Sequence, residues 1–174
     1  MDEQSTNATP AGLLRRLAAV FYDLLLIFAL LAALTFALLP LTGGEAILTS
    51  TQGWLGRLYH ALQLLLAFGY YGICWTRGGQ TLGMKAWLIR LETVDGQQPN
   101  WADAFVRFTI GATLLLLAVL GAWYLRSPGW SLGDLAAGLL LLPAPANLVW
   151  APFNRAGRTL QDLAGGMRVV QIVR

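Results

Sequence analysis

LAAVFYDLLLIFALLAALTFALL, residues 17–39, follows Arg15 and Arg16 and holds a single charge, Asp23. About 20 residues of apolar helix suffice to cross the hydrocarbon core of a bilayer, so this stretch reads as a membrane span. An aspartate near the middle of such a helix costs roughly 3 kcal/mol, while each Leu, Ile, Phe or Val contributes about 0.3 to 0.6 kcal/mol in return. The leucines can carry Asp23, but spanning a membrane does not require it. A carboxylate there calls for a reason of its own.

Working outward, the composition agrees with the first span. Of 174 residues, 56% are hydrophobic and 12% charged, and the mean hydropathy is positive, which describes a chain better solvated by lipid than by water. Three further apolar stretches follow the first, which gives expected spans at 13–39, 58–75, 102–123 and 132–150. Trp54, Tyr59, Tyr70, Tyr71 and Trp75 flank the second, Trp101 and Trp123 the third, and Trp130 and Trp150 the fourth, as an aromatic belt at two headgroup levels would. Pro143 and Pro145 predict a kink in the fourth, because proline removes a backbone donor and crowds the preceding turn. The expected organisation is a disordered tail over residues 1–12 and one membrane domain over 13–174.

Ten of the twelve basic residues fall on one side of these spans: Arg15, Arg16, Arg77, Lys85, Arg90, Arg107, Arg155, Arg158, Arg168 and Arg174. Arg57 and Arg126 fall on the other. The positive-inside rule then places both termini in the cytoplasm. The pI of about 9.4 follows from this asymmetry and is not read as nucleic-acid binding. No cleaved signal peptide is expected, since the first apolar run is too long for one.

A sequence unit recurs. Gly79-Gln80-Thr81-Leu82 runs on to Ala86 and Arg90, and Gly157-Arg158-Thr159-Leu160 runs on to Ala164 and Arg168, with a constant offset of 78 residues and five identities over sixteen positions. Each unit ends in strand-like alternation, Ile89 to Val94 and Met167 to Val173, too short to be stable alone. The two are expected to pair beneath the membrane. The fold predicted is therefore an all-α polytopic membrane protein, four transmembrane helices forming two parallel hairpin repeats, with short paired extended segments on the cytoplasmic side. Asp162 breaks the repeat, standing where the first unit has Met84.

The charged residues Arg16, Asp23, Arg107, Arg158 and Asp162 are the candidate site. Arg16 and Asp23 share a helical face but lie about 10 Å apart along the axis, so a basic partner for Asp23 is expected from another helix, Arg107 first and Arg158 or Lys85 next. Such a pair either fixes helix packing or forms a site for a cation, proton or polar ligand. Asp162 follows Thr159 at capping-box spacing, as Asp103 follows Asn100 and Asp134 follows Ser131; Asp103 can also pair with Arg107 one turn on. His60 is the only histidine and Cys74 the only cysteine, which removes multi-histidine and multi-thiolate metal sites within this chain. No enzyme activity, cofactor or metal is expected.

Arg16, Asp23 and the stretch Gly157 to Gly165 containing Asp162 resemble the arginine and two aspartates of the RDD family of bacterial membrane proteins. Gly79-Gln80-Thr81-Leu82-Gly83, with Ile89-Arg90 and Asp95-Gly96, is similar to that family's central stretch, and the resemblance runs from Gly12 to Gln171. Family members often carry a basic residue where this chain has Met84 and a histidine where it has Gln161; the second departure takes a titratable neighbour from Asp162. The resemblance implies the bacterial cytoplasmic (inner) membrane and a proposed role in transport, for some members sodium–proton exchange. Two functional expectations follow. One is a small ion or solute transporter centred on Asp23, a homo-oligomer because four helices rarely enclose a pathway. The other is a non-catalytic membrane adaptor that docks a partner through the paired segments. The bilayer is the expected partner in either case.

Overall fold

The computed structural model describes residues 9–44, 53–126, 139, 141–143, 146–147 and 158–172. Its first helix, α1 (Leu13–Leu38), is 26 residues long and continues into a 3-10 turn, Leu39–Thr42, with Pro40 in its first turn. At 1.5 Å per residue α1 alone spans about 39 Å, more than a hydrocarbon core. Helix α2 is Trp54–Gly78. A short helix α3 (Leu82–Ala86) leads into strand β1 (Ile89–Thr93), and α4 is Trp101–Leu125. A second short helix, α5 (Leu160–Ala164), leads into strand β2 (Met167–Gln171).

Among the described residues, two helices are long and apolar enough to cross a membrane, Leu13–Thr42 and Trp101–Leu125. Their apolar side chains face outward: Phe28 and Phe36 are each 72% exposed and Leu116 56%, an arrangement that water penalises and lipid does not. Helix α2 covers the expected second span and is as long as α4, but Arg57, His60, Gln63 and Arg77 make it more polar. The expected fourth span, with Trp130, Trp150, Pro145 and the Ser131–Asp134 cap, lies outside the described residues apart from Leu139, 141–143, Ala146 and Asn147.

Local signals set the helix ends. Gly79 closes α2 in the left-handed region, φ 65°, with its N–H on Trp75 O (3.0 Å), the 5→1 bond of an αL cap, and the Gln80 N–H on Cys74 O (3.2 Å). A Cβ on Gly79 would also sit 2.5 Å from Leu91 O. Both Asn100–Asp103 and Thr159–Asp162 form the expected capping boxes, at the starts of α4 and α5.

The two extended segments pair antiparallel, with Leu91 opposite Val169 and Glu92 opposite Arg168. Residues 9–12, the described part of the expected tail, lie along the outer edge of β2. Pro10 bridges Val170, Ala11 N–H donates to Val169 O (3.0 Å) and Thr9 O accepts from Gln171 N–H (2.9 Å). The core sits where this sheet meets the helix ends: Ile89, Leu91, Met167 and Val169 are buried with Ala19, Trp75, Met84 and Ala104. Helices α2 and α4 pack through aromatics, Phe68 lying edge-on to Trp101 and Phe105, and Gly72 leaves room for the Trp101 ring.

Candidate functional site

The structure brings three of the five candidate residues together. Asp162, on α5, is fully buried and bridges Arg16 of α1 (3.2 Å) and Arg107 of α4. Each carboxylate oxygen takes one arginine, and the oxygen facing Arg16 also accepts the Thr159 N–H (3.1 Å) as the return arm of the capping box. Asp162 therefore caps its own helix and binds both arginines with the same group. Arg16 donates further to Ala11 O (3.0 Å) and Val169 O (3.2 Å), so its guanidinium ties α1, α5, β2 and the amino-terminal edge into one unit. Arg107 lies over the Trp75 ring, its Cζ 5.1 Å from the centroid. The triad carries a net charge of +1 in a place where both arginines are 6% exposed.

Asp23 is elsewhere, and the expectation of a basic partner is corrected. It is 3% exposed, and its hydrogen-bond donors are neutral: Tyr70 Oη (2.9 Å) and the Gly83 N–H (2.9 Å) on Oδ1, and Thr81 Oγ1 (2.5 Å) on Oδ2. Among the described residues no Lys or Arg lies within ion-pair distance of it; Arg107 is engaged with Asp162, and the remaining pair, Glu92 with Arg168 (2.7 Å), is on the sheet. The physical reason is the short helix α3. Thr81 Oγ1 caps it by accepting the Met84 N–H (3.1 Å), and Tyr70 Oη accepts the Leu82 N–H (3.2 Å), so the start of α3 turns its donors and their hydroxyl intermediaries toward α1. Orphan N–H groups at a helix start favour a carboxylate. Gly83 makes the approach possible, since an added Cβ would overlap the Ala19 carbonyl oxygen.

Arg158 stands just before the Thr159 cap, and its Nε is buried without a hydrogen-bond acceptor among the described residues; no ion pair joins it to Asp23 or Asp162. Nor does Asp103 pair with Arg107, which is turned to Asp162 instead. Composition and spacing missed Tyr70, Thr81 and Gly83 as the partners of Asp23. The signal was present in the Thr-Leu-Gly order, a cap followed by a residue with no side chain. Asn147 was missed as well: it is 4% exposed, and its Oδ1 accepts the Leu160 N–H at 2.7 Å. A lone Asn in an apolar run was the available sign. At the opposite end of α1, Thr35 Oγ1 and Tyr59 Oη lie 2.6 Å apart and Gln63 donates to the same Tyr59 hydroxyl (2.8 Å), which joins α1 to α2.

Long helices with outward apolar faces, a small sheet that gathers their ends, and a buried arginine–aspartate–arginine cluster define a helical protein of membrane character. The family model described as the RDD family matches residues 10–166, and the chain belongs to that family. No curated protein and no solved structure matches it.

Proposed function

We propose that the protein is a proton-coupled membrane transporter in which Asp23 takes up and returns the proton. The observation that carries this reading is that Asp23, buried within a helix of lipid-crossing length, is held by neutral donors, with no cation in contact among the described residues. A carboxylate in such a place can be relieved of its charge by a proton. Close packing limits what else can be admitted: α3 touches α1 at Gly83 with no space for a methyl group, so a proton fits beside Asp23 while a metal cation would have to part the two helices. Thr81 and Tyr70 supply hydroxyls that can exchange donor for acceptor roles when the proton arrives. In this reading four spans are arranged as two hairpin repeats in the bacterial inner membrane, with both termini and the sheet in the cytoplasm, and copies associate to enclose a pathway.

The second reading is an adaptor. It is favoured by the equivalent residues Leu82 and Leu160, 52% and 50% exposed on α3 and α5, which present apolar contact beside the sheet while the charges beneath them hold it together. Purified protein in liposomes with an internal pH dye, under imposed sodium, potassium and proton gradients, separates the two. Proton flux in the wild type that disappears in Asp23→Asn at matched incorporation supports transport; absence of flux in both shifts the assignment to the adaptor.

A further inference from the structure

Tyr70 does two things with one oxygen. Its Oη accepts the Leu82 N–H (3.2 Å) and donates to Asp23 Oδ1 (2.9 Å), so the phenol stands between the start of α3 and the acid. Of the three residues that donate to Asp23, Thr81 is 0% exposed and Gly83 is buried, while Tyr70 is half-buried and keeps an open side. Tyr71 and Cys74 on α2 feel the charge of Asp23 without hydrogen-bonding to it, and Lys85 on α3 acts on Cys74. Tyr70 is thus the titratable group in contact with Asp23 among the described residues. The second unit supplies an independent comparison. Leu160, the equivalent of Leu82, has its N–H accepted by Asn147 Oδ1 (2.7 Å), and seven residues on from Arg107 stands Leu114, where seven on from Arg16 stands Asp23. An amide therefore suffices where the helix start alone needs an acceptor. It accepts on one atom and donates from another, whereas a hydroxyl does both on one oxygen and can hand a proton through. The hydroxyl is found in the half that has the acid.

The geometry points to Tyr70 as the relay through which Asp23 takes up its proton, on Oδ1; the inference rests on the transport reading above. A proton arriving from water bonds to Tyr70 Oη as the Tyr70 O–H bond breaks and its hydrogen passes to Asp23 Oδ1, within direct reach at 2.9 Å. The phenol ends neutral and the carboxylate becomes the acid. The new Oδ1–H then donates back to Tyr70 Oη, whose own hydrogen turns to the open side. The same step through Thr81 would turn a hydroxyl hydrogen into a place closed to solvent, where an unpaired donor is costly. Tyr70 lies eight residues before Gly78, the last residue of α2, about 12 Å along the axis. The proton therefore enters from the end of α2 that leads into the sheet.

The test is proton flux into liposomes with an internal pH dye, comparing wild type, Tyr70→Phe and Asp23→Asn at matched incorporation. Tyr70→Phe keeps the ring beside Tyr71, 5.1 Å between centroids, and is expected to lower the flux by about a hundredfold, the low end of what a positioned acid–base group contributes. Sodium azide, whose conjugate acid is a small proton carrier, should restore flux to Tyr70→Phe above its effect on protein-free vesicles, and should not restore it to Asp23→Asn. A hydroxyl that only held the structure together would not be replaced in this way. Absence of flux in the wild type overturns the transport reading and the relay with it. Wild-type flux that Asp23→Asn abolishes and Tyr70→Phe leaves unchanged overturns the relay alone, as does a loss in Tyr70→Phe that azide does not restore. If Tyr70→Phe does not fold, difluorotyrosine at position 70 keeps the hydroxyl and makes it more acidic. Flux that then stops at a lower alkaline pH than in the wild type supports the relay, and an unchanged profile overturns it.

Discussion

Leu91 lies directly opposite Val169 in the sheet, and the two are 78 residues apart, the offset at which the sequence unit recurs. Leu91 turns its N–H outward to Gly79 O (2.7 Å), and Val169 turns its carbonyl outward to Ala11 N–H (3.0 Å), as the residues of a non-hydrogen-bonded antiparallel pair do. Every other cross-strand pair maps onto a pair under the same offset. Ile89 with Gln171 becomes Met167 with Thr93, and Arg90 with Val170 becomes Arg168 with Glu92. The one ion pair of the sheet thus occupies a position whose equivalent has a valine in place of the acid.

That register can be trapped. Non-hydrogen-bonded neighbours hold their Cα atoms about 4.5 Å apart, inside the range a disulfide spans. With Cys74 replaced by alanine, Leu91→Cys with Val169→Cys is expected to crosslink under mild oxidation, seen as two fragments held together after proteolysis between α4 and α5. Leu91→Cys with Val170→Cys, one residue out of register and on the other face, should not crosslink.

Asp162→Asn removes the carboxylate that two buried arginines contact in common. Breaking a buried ion pair by deleting one partner costs about 3 to 5 kcal/mol, because the remaining charge is left uncompensated. Asn retains the oxygen for the Thr159 N–H but cannot offset either guanidinium. The variant is expected to lose most of its resistance to denaturant and protease in detergent, whereas Glu92→Gln, which breaks the partly buried single pair with Arg168 at the sheet surface, should cost about 1 kcal/mol.

Much of this was written into the sequence in one direction and hidden in another. The two helices long and apolar enough to cross a membrane were legible because apolar length is a one-dimensional property. The strand pairing was legible because Ile89-Arg90-Leu91 and Met167-Arg168-Val169 alternate and recur. The partners of the acids were not, since they depend on which helix face meets which, and the spacing within one helix carries no information about that. Arg107, expected opposite Asp23, lies against Asp162 instead. The hidden factor was α3, five residues whose capped start delivers Thr81 and the Gly83 N–H to Asp23 and makes an arginine there unnecessary.

Two glycines around the start of the first unit, Gly78 just before it and Gly83 within it, should respond oppositely to alanine. Gly83→Ala drives a methyl group into the Ala19 carbonyl and crowds Asp23 Oδ1, which forces α3 away from α1. A loss of about 1 to 3 kcal/mol is expected from the overpacking, together with the loss of hydrogen-exchange protection at the Gly83-equivalent amide and its neighbours in α3. Gly78→Ala meets nothing within 4 Å at the last position of α2, and should be neutral or raise stability by about 0.4 to 1 kcal/mol through the unfolded chain. Thermal unfolding of the two variants side by side checks both.

Asp23→Asn imitates the protonated acid in shape and in having one donor and one acceptor end, and the environment of Asp23 predicts how well it is tolerated. The amide oxygen can keep the Tyr70 hydroxyl and the Gly83 N–H, which share Oδ1. The amide nitrogen must then face Thr81 Oγ1, which already accepts the Met84 N–H and still has a free lone pair, but its own hydrogen loses its acceptor. One hydrogen bond to a charged group is exchanged for a weaker one, at about 1 to 2 kcal/mol. Asp23→Leu strands the two hydroxyls and the Gly83 N–H together and should cost well over that. Denaturant titration in detergent is expected to rank the wild type first, Asp23→Asn close behind and Asp23→Leu far below. Equal losses for Asn and Leu would show that the three donors do not discriminate between the two side chains, and would remove the basis for treating Asn as a folded stand-in for the protonated state in flux measurements.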